Sequence, residues 1–260
     1  GSVRDMRAAL VDASRYQGMI DAAKIKAAGF CGIVARCTIG FLQDGSSIGR
    51  GLDFYRNSQQ QARDNGLIFG GYHVLWPENR NPIREAQNYA ASAGITDLDV
   101  VDIERMVGQT ARSVIDQAQI LINEFETLRG RKPIIYTGSW FWDGPSYIGL
   151  VTPAGWEQDY VLWEAEYTKS IPRGGIEPSL APTGEPADLS DGFGGWKFWQ
   201  WTSGGKPYGV QSESLDYDIF NGTEEELRQF LGLTAPSPTL QERVVILERE
   251  ASTRGWNLAP

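Results

Sequence analysis

NPIREAQNYAASAGITDLDVVDIERMVGQTARSVIDQAQILINEFETLRGRKPIIYTG, residues 81–138, holds the alternation on which the fold turns. DVVDIE at 99–104 and PIIYTG at 133–138 are short apolar runs of strand length, and each follows a helix-like segment. In the second of those segments, Val114, Ile115, Ala118, Ile120, Leu121, Ile122 and Phe125 form one wide apolar stripe, the mark of a helix laid on a core. Gly94 and Gly130 close the two segments where a residue with positive φ is wanted, as Gly29 and Gly66 do earlier in the chain.

The same beat runs outward in both directions, from residue 8 to about residue 222. Upstream lie strand candidates AALVDAS (8–14), GIVARCT (32–38) and IFGGYHVLW (68–76), separated by DAAKIKAAG and GLDFYRNSQQQARDNG. Downstream come YVLWEAEY (160–167), WKFWQWT (196–202) and SLDYDIF (214–220), with no comparable helices between them. Alternating strands and helices predict parallel βα units. Eight strands with four good helices predict an α/β fold, a modified TIM-like β/α barrel whose second half has reduced helices. The Gly-, Pro- and acid-rich stretch 171–195 is expected to be a surface loop. Residues 1–7 are set apart as a cloning remnant and leader, 8–233 as the barrel with a helix-like TEEELRQFLGL at its end, and 234–260 as a Pro-containing linker and amphipathic helix. Leu240, Val244, Leu247 and Ala251 form a short heptad stripe in that last piece, suited to docking, self-association or leading to a further module.

Composition narrows the chemistry. With 41% hydrophobic residues the 260-residue chain can bury one large core. A net charge of -9 leaves no basic surplus to hold nucleic acid or an anionic membrane, and no apolar run reaches membrane-spanning length. The N-terminus has no secretory-signal pattern. Cys31 and Cys37 lie in one strand, roughly 20 Å apart at 3.3 Å per residue, and are expected to be reduced and buried. His73 is the single histidine, so a zinc site or Ser-His-Asp triad is a poor fit and a hydrogen-bonded barrel histidine a better one. No metal or cofactor is called for; carboxylate chemistry remains.

Period two along VVDIE puts Val100, Asp102 and Glu104 on one face and Val101 and Ile103 on the other. The apolar pair suits the helix layer, so both acids point inward at the strand's C-terminal end, where β/α barrels carry their sites. Asp12 and Asp216 stand at similar places in their own strands. Four converging carboxylates raise at least one pKa, as a general acid for glycoside hydrolysis requires. Asp97, Asp99, Asp143, Asp191 and Asp218 are expected at the solvated surface. Nine Trp residues, and the rings of Tyr72, Trp76, Tyr136, Trp140, Trp142, Trp163, Tyr167, Trp199 and Trp201 near strand ends, suit a sugar groove. Plain core packing is the expected role of about half of them.

These motifs resemble glycoside hydrolase family 25, the lysozymes or N-acetylmuramidases that include many phage endolysins. VDASRYQG, GGYHVLW, VVDIE, PIIYTGSWFW, VLWEAEY, WKFWQWTS and SLDYDIFNG match its strand motifs in order across 8–222. The resemblance implies Glu104 as catalytic acid and Asp12, Asp102 and Asp216 as its companions. Asp102 would stabilise the transition state or steer the substrate's acetamido group. Tyr72, Tyr136, Trp163, Tyr167 and Gln200 would bind sugar, and the partner would be bacterial peptidoglycan, cut between N-acetylmuramic acid and N-acetylglucosamine. Such an enzyme acts at the cell wall, made without a signal by a phage or secreted after loss of a leader. A wall-binding module without turnover, or a hydrolase of another amino-sugar polymer such as chitin, are the alternatives. Glu164 departs from the pattern, standing where an aliphatic residue is usual, with solvent or a sugar subsite as its expected surroundings.

Overall fold

The computed structural model describes residues 6–168 and 176–233. Its strands are β1 (Ala9–Ala13), β2 (Gly32–Ile39), β3 (Leu42–Gln43), β4 (Ile68–Val74), β5 (Leu98–Asp102), β6 (Ile134–Thr137), β7 (Leu162–Ala165), β8 (Trp196–Gly205) and β9 (Leu215–Phe220). They pair in the order β1-β9-β8-β7-β6-β5-β4-β2-β3, and β1 also pairs with β2. Eight strands therefore close a barrel, and the two-residue β3, too short to read from the sequence, hangs on β2 outside it. The expected barrel is present, with one correction to its all-parallel reading: β9 runs antiparallel to both β8 and β1. Only nine residues, 206–214, separate β8 from β9. A parallel crossover needs a dozen or more, so the chain turns straight back.

The helices are α1 (Ala22–Ala27), α2 (Asp53–Asp64), α3 (Pro82–Ala93), α4 (Ala111–Arg129), α5 (Ser139–Trp142) and α6 (Glu224–Phe230). Each of the predicted α1, α3 and α4 starts on a side-chain cap, from Asp21, Asn81 and Thr110, worth about 1 kcal/mol apiece. Pro82 opens α3, where its missing N–H costs nothing. After β6 the one-turn α5 and 3₁₀ turns are the only helical elements between strands among the described residues, the expected thinning of the second half. The described part of the 171–195 loop contains one such turn, Pro178–Leu180, and a bridge from Ile176 to Gly205. The heptad stripe at 240–251 lies outside the described residues.

Strand alternation divides the core into two layers. Leu10, Val34, Ile68, Leu98, Val100, Ile134, Trp163 and Phe198 fill the barrel, and Leu227 of α6 packs with them. Val11, Ile33, Phe69, Val101, Ile103 and Ile135 face outward onto Tyr55, Tyr89, Val114, Ile122 and Phe125 of the helices. Gly70 and Gly71 serve both layers: a Cβ on Gly70 would meet Leu98 at 2.8 Å, and one on Gly71 the hydroxyls of Tyr89 and Tyr55 at 2.6 and 2.7 Å. Cys31 and Cys37 are buried and free.

Outward-facing polar groups tie strands to helices. His73 is fully buried between Thr38 Oγ1 at 2.7 Å and Glu85 Oε2 at 3.1 Å. Of the acids assigned to the surface, Asp191 is exposed and Asp97 and Asp143 are half-buried, but Asp99 and Asp218 are buried. Asp99 escapes water because it alternates with Val101 on the helix-facing side of β5, where Arg129 and Arg131 meet it. Glu164 is also corrected, reaching neither solvent nor the barrel interior. It alternates with inward Trp163 and accepts the backbone amides of Ser139 at 2.8 Å and Ser190 at 2.9 Å. Burial raises its pKa to about 7 against those hydrogen bonds.

Candidate active site

A cavity of about 780 Å³ opens at the C-terminal ends of the parallel strands. Asp12, Tyr72, Asp102, Glu104, Tyr136, Trp163, Tyr167, Gln200 and Asp216, the residues singled out from the sequence, all line it. Register explains the convergence. Asp102 on β5 pairs with Tyr136 on β6, Tyr136 with Trp163 on β7, and Asp12 on β1 with Asp216 on β9. Directly opposed residues of an antiparallel pair share a face, so Asp12 and Asp216 enter the cavity side by side.

Hydrogen bonds order this floor. The Tyr136 hydroxyl donates to Gln200 Oε1 at 2.8 Å, and Gln200 Nε2 donates to Asp12 Oδ2 at 2.6 Å. Beneath Asp12 sits Asp218, held by Trp163 Nε1 at 3.0 Å. Asp102 is buried, and its Oδ1 has no protein partner among the described residues. Glu104, two residues beyond the last ladder position, is only partly buried and so is the more accessible of the two.

Electrostatics follow from this crowding. Burial pushes Asp102 well above the usual carboxylate range; Glu104 and Asp12 add to the rise, against the pull of Arg36. Glu104 is raised by burial and then by Asp12. Asp12 is raised by burial, against hydrogen bonds from Gln200 and Asp218. Asp216 is pushed to about 8 by burial, Asp12 and Glu104, and Asp218 goes up by burial and then by Asp12. Asp216 thus keeps at neutrality a proton that a carboxyl in water has lost, and its neighbours are shifted in the same direction.

That proton retention has a measurable sign. A carboxyl raised from near 4 in the unfolded chain to about 8 in the fold contributes stability below pH 4 that is lost as pH rises to 8. Asp216→Asn removes that loss. Its melting temperature is expected to match the parent's near pH 4 and exceed it by about 3 °C or more at pH 8. Thermal melts across that range check it; a variant less stable than the parent at pH 8 would refute the shift.

Several lining groups were not singled out: Arg36, Arg105 and Tyr147 stand in the cavity wall. Arg36 had a readable signal, since it lies two residues after inward Val34 on β2. Arg105 and Tyr147 sit in loops, where no periodicity points.

A family model described as "Glycosyl hydrolases family 25" matches residues 11–210, more than three quarters of the chain. The chain belongs to this family. As a family 25 glycoside hydrolase, it carries Asp12, Asp102, Glu104 and Gln200 within the matched span, while Asp216 and Asp218 lie just beyond it. Protein YegX of Escherichia coli O157:H7 is 28% identical over 226 residues, covering 85% of this chain and 72% of that protein. Two solved structures share the fold. A family GH25 lysozyme from Aspergillus fumigatus gives a TM-score of 0.69 at 21% identity, covering 88% of this chain and 100% of that one. The bacterial lysozyme from Streptomyces coelicolor gives 0.67 at 22%, covering 88% and 97%. At such identities these likenesses speak to the barrel, and the family match carries the assignment of this hydrolase.

Proposed function

We propose that this family 25 hydrolase is a muramidase acting at the bacterial cell wall, cutting the β-1,4 bond from N-acetylmuramic acid to N-acetylglucosamine, with Glu104 as general acid. The observation that carries this reading is the pairing of buried Asp102, one oxygen unpartnered, with the more accessible Glu104 on the floor of an aromatic-walled cavity. A buried acceptor without a donor is costly unless the substrate supplies one. An amino sugar does, through the N–H of its 2-acetamido group.

In this reading Asp102 accepts that N–H and turns the acetamido oxygen toward the anomeric carbon. The oxygen–carbon bond forms as the glycosidic bond breaks, and the leaving oxygen takes the proton from Glu104. Glu104, now ionised, removes a proton from the water that reopens the ring at the anomeric carbon, which restores the acid. Tyr72, Tyr136, Trp163 and Tyr167 line the sugar's path, and Gln200 holds Asp12 in place. Asp12 and Asp216 place carboxyl oxygens around the developing oxocarbenium ion.

The test is release of reducing ends from purified peptidoglycan beside chitin oligomers of similar length. The expected result is release from peptidoglycan and at least about tenfold lower kcat/KM on chitin, as expected when one substrate lacks contacts the site uses. Preference for chitin would reassign the substrate. Binding of peptidoglycan without any release would make the chain a wall-binding module.

A further inference from the structure

The catalytic cavity continues past Trp76, Ile39 and Arg36 into a second cavity of about 490 Å³. The walls of this arm have an unusual finish: the rings carry arginines. Arg15 and Arg36 lie 4.5 and 5.5 Å from the centre of the Tyr16 ring, Arg84 lies 4.3 Å from that of Phe41, and Arg105 lies 3.5 Å from Trp76. Sugars bind aromatic residues through bare ring faces. Here each ring carries a guanidinium: Arg15 and Arg36 line the arm itself, Arg105 stands in the adjoining catalytic cavity, and exposed Arg84 flanks the arm on Phe41, so positive charge surrounds the apolar surface.

The positive charge is only partly neutralised. Buried Asp44 serves two arginines: its Oδ1 accepts from Arg36 Nε at 3.0 Å and lies 3.6 Å from Arg15 Nε, and its Oδ2 accepts the Arg15 amide at 2.8 Å. Glu78 pairs with Arg105, and Glu85 lies buried behind the wall on His73 and the Trp76 amide. Arg84 is exposed and has no carboxylate partner among the described residues. Four guanidiniums thus meet three carboxylates, in a chain whose net charge is -9. The catalytic end of the groove differs in kind, lined by the four carboxyl groups of Asp12, Asp102, Glu104 and Asp216.

We infer that this arm is a binding site for an anionic peptide, the carboxylate-bearing stem that peptidoglycan carries on its muramic acid, seated while the glycan lies over the four acids. The inference rests on the muramidase reading. Planar guanidinium groups recognise carboxylates through paired N–H donors, and a glycan without its peptide offers them no such group. A stem that finds no cationic surplus among those acids finds its complement one cavity away. The arm therefore selects the decorated polymer, and the acids choose the bond.

The experiment compares the parent with the double variant Arg15→Gln/Arg84→Gln, both positions outside the catalytic cavity. Substrates are intact peptidoglycan and the same glycan freed of its peptides by an amidase. On intact peptidoglycan kcat/KM is expected to fall about tenfold, the loss of one or two charge-assisted contacts, with the change in KM. On bare glycan it stays within about twofold, and added salt erodes the parent's preference for the decorated polymer. An equal loss on both substrates would give the arm to sugar, and no loss on either would leave it without a ligand; both overturn the proposal. Should the double variant fold poorly by circular dichroism, Arg84→Gln alone decides, since its side chain makes no hydrogen bond or ion pair among the described residues. If the parent cleaves neither substrate, the muramidase reading has failed separately. Equilibrium binding of a synthetic stem tetrapeptide then tests the arm: weaker binding by the variant supports it, and equal or absent binding refutes it.

Discussion

Glu104→Gln is expected to lower kcat on peptidoglycan about a thousandfold, within the range that a positioned general acid supplies, while the protein stays folded. The amide keeps the shape and hydrogen-bonding reach of the side chain but has no proton to give the leaving oxygen. Because Glu104 stands beyond the end of β5 and is only partly buried, no packed layer depends on its charge. Its removal also relieves Asp102 and Asp216, both raised by it. The melting temperature of the variant is therefore expected to equal or exceed the parent's above pH 7, where those carboxyls lose their protons at greatest cost. KM should change little, since the proton is used in the transition state and not in substrate binding. Reducing-end release with matched thermal melts checks both halves. A folded variant retaining a tenth or more of parent activity would take the acid's role from Glu104.

The inward acids were readable because period-two alternation needs no tertiary information. VVDIE alone assigns Asp102 and Glu104 to one face and Val101 and Ile103 to the other, and the core divides along that line. What alternation omits is strand direction. In a parallel barrel strand, a residue two positions past a rim acid leaves the barrel; in an antiparallel strand it descends into it. Asp218 was expected at the surface because most of the chain's acids must lie there, yet β9 runs backward, so the step from Asp216 to Asp218 goes down toward Trp163 and Asp12. Glu164 shows a second limit. Its surroundings were left open between solvent and a sugar subsite, because the two amides it accepts lie 25 and 26 residues away in the sequence, on segments that only the fold brings together. The arginine-covered arm belongs with these, because Arg15, Arg36, Arg84 and Arg105 come from four separate segments and share no motif.

Asp99→Ala is expected to cost about 3 kcal/mol, the low end of the penalty for breaking a buried charge network, since the arginines left behind keep some contact with water. Asp99 Oδ1 accepts the Tyr89 hydroxyl at 2.6 Å and Thr96 Oγ1 at 2.7 Å; Oδ2 accepts Arg129 Nε at 3.1 Å and Arg131 Nε at 2.9 Å. One carboxylate therefore joins the end of α3, the end of α4 and the start of β5. Burial alone would raise its pKa. Arg131, with hydrogen bonds from Arg129, Thr96 and Tyr89, overrides burial and holds it below the ordinary value. A depressed carboxyl contributes stability above pH 4 that is lost as pH falls through its folded pKa. The parent's advantage over Asp99→Ala should accordingly be full at pH 6, on the order of 10 °C in melting temperature, and shrink steadily below pH 4. Asp99→Asn, which keeps two acceptor sites' worth of shape but no charge, should fall between them at pH 6. A constant gap at every pH would mean that Asp99 acts through packing and not through charge. The strand fixed by this clamp carries Asp102 three residues later, so loss of the clamp should also lower activity in the variant before it unfolds. That loss should appear in kcat at temperatures well below the melting transition, because β5 delivers the acids and the clamp fixes where β5 starts.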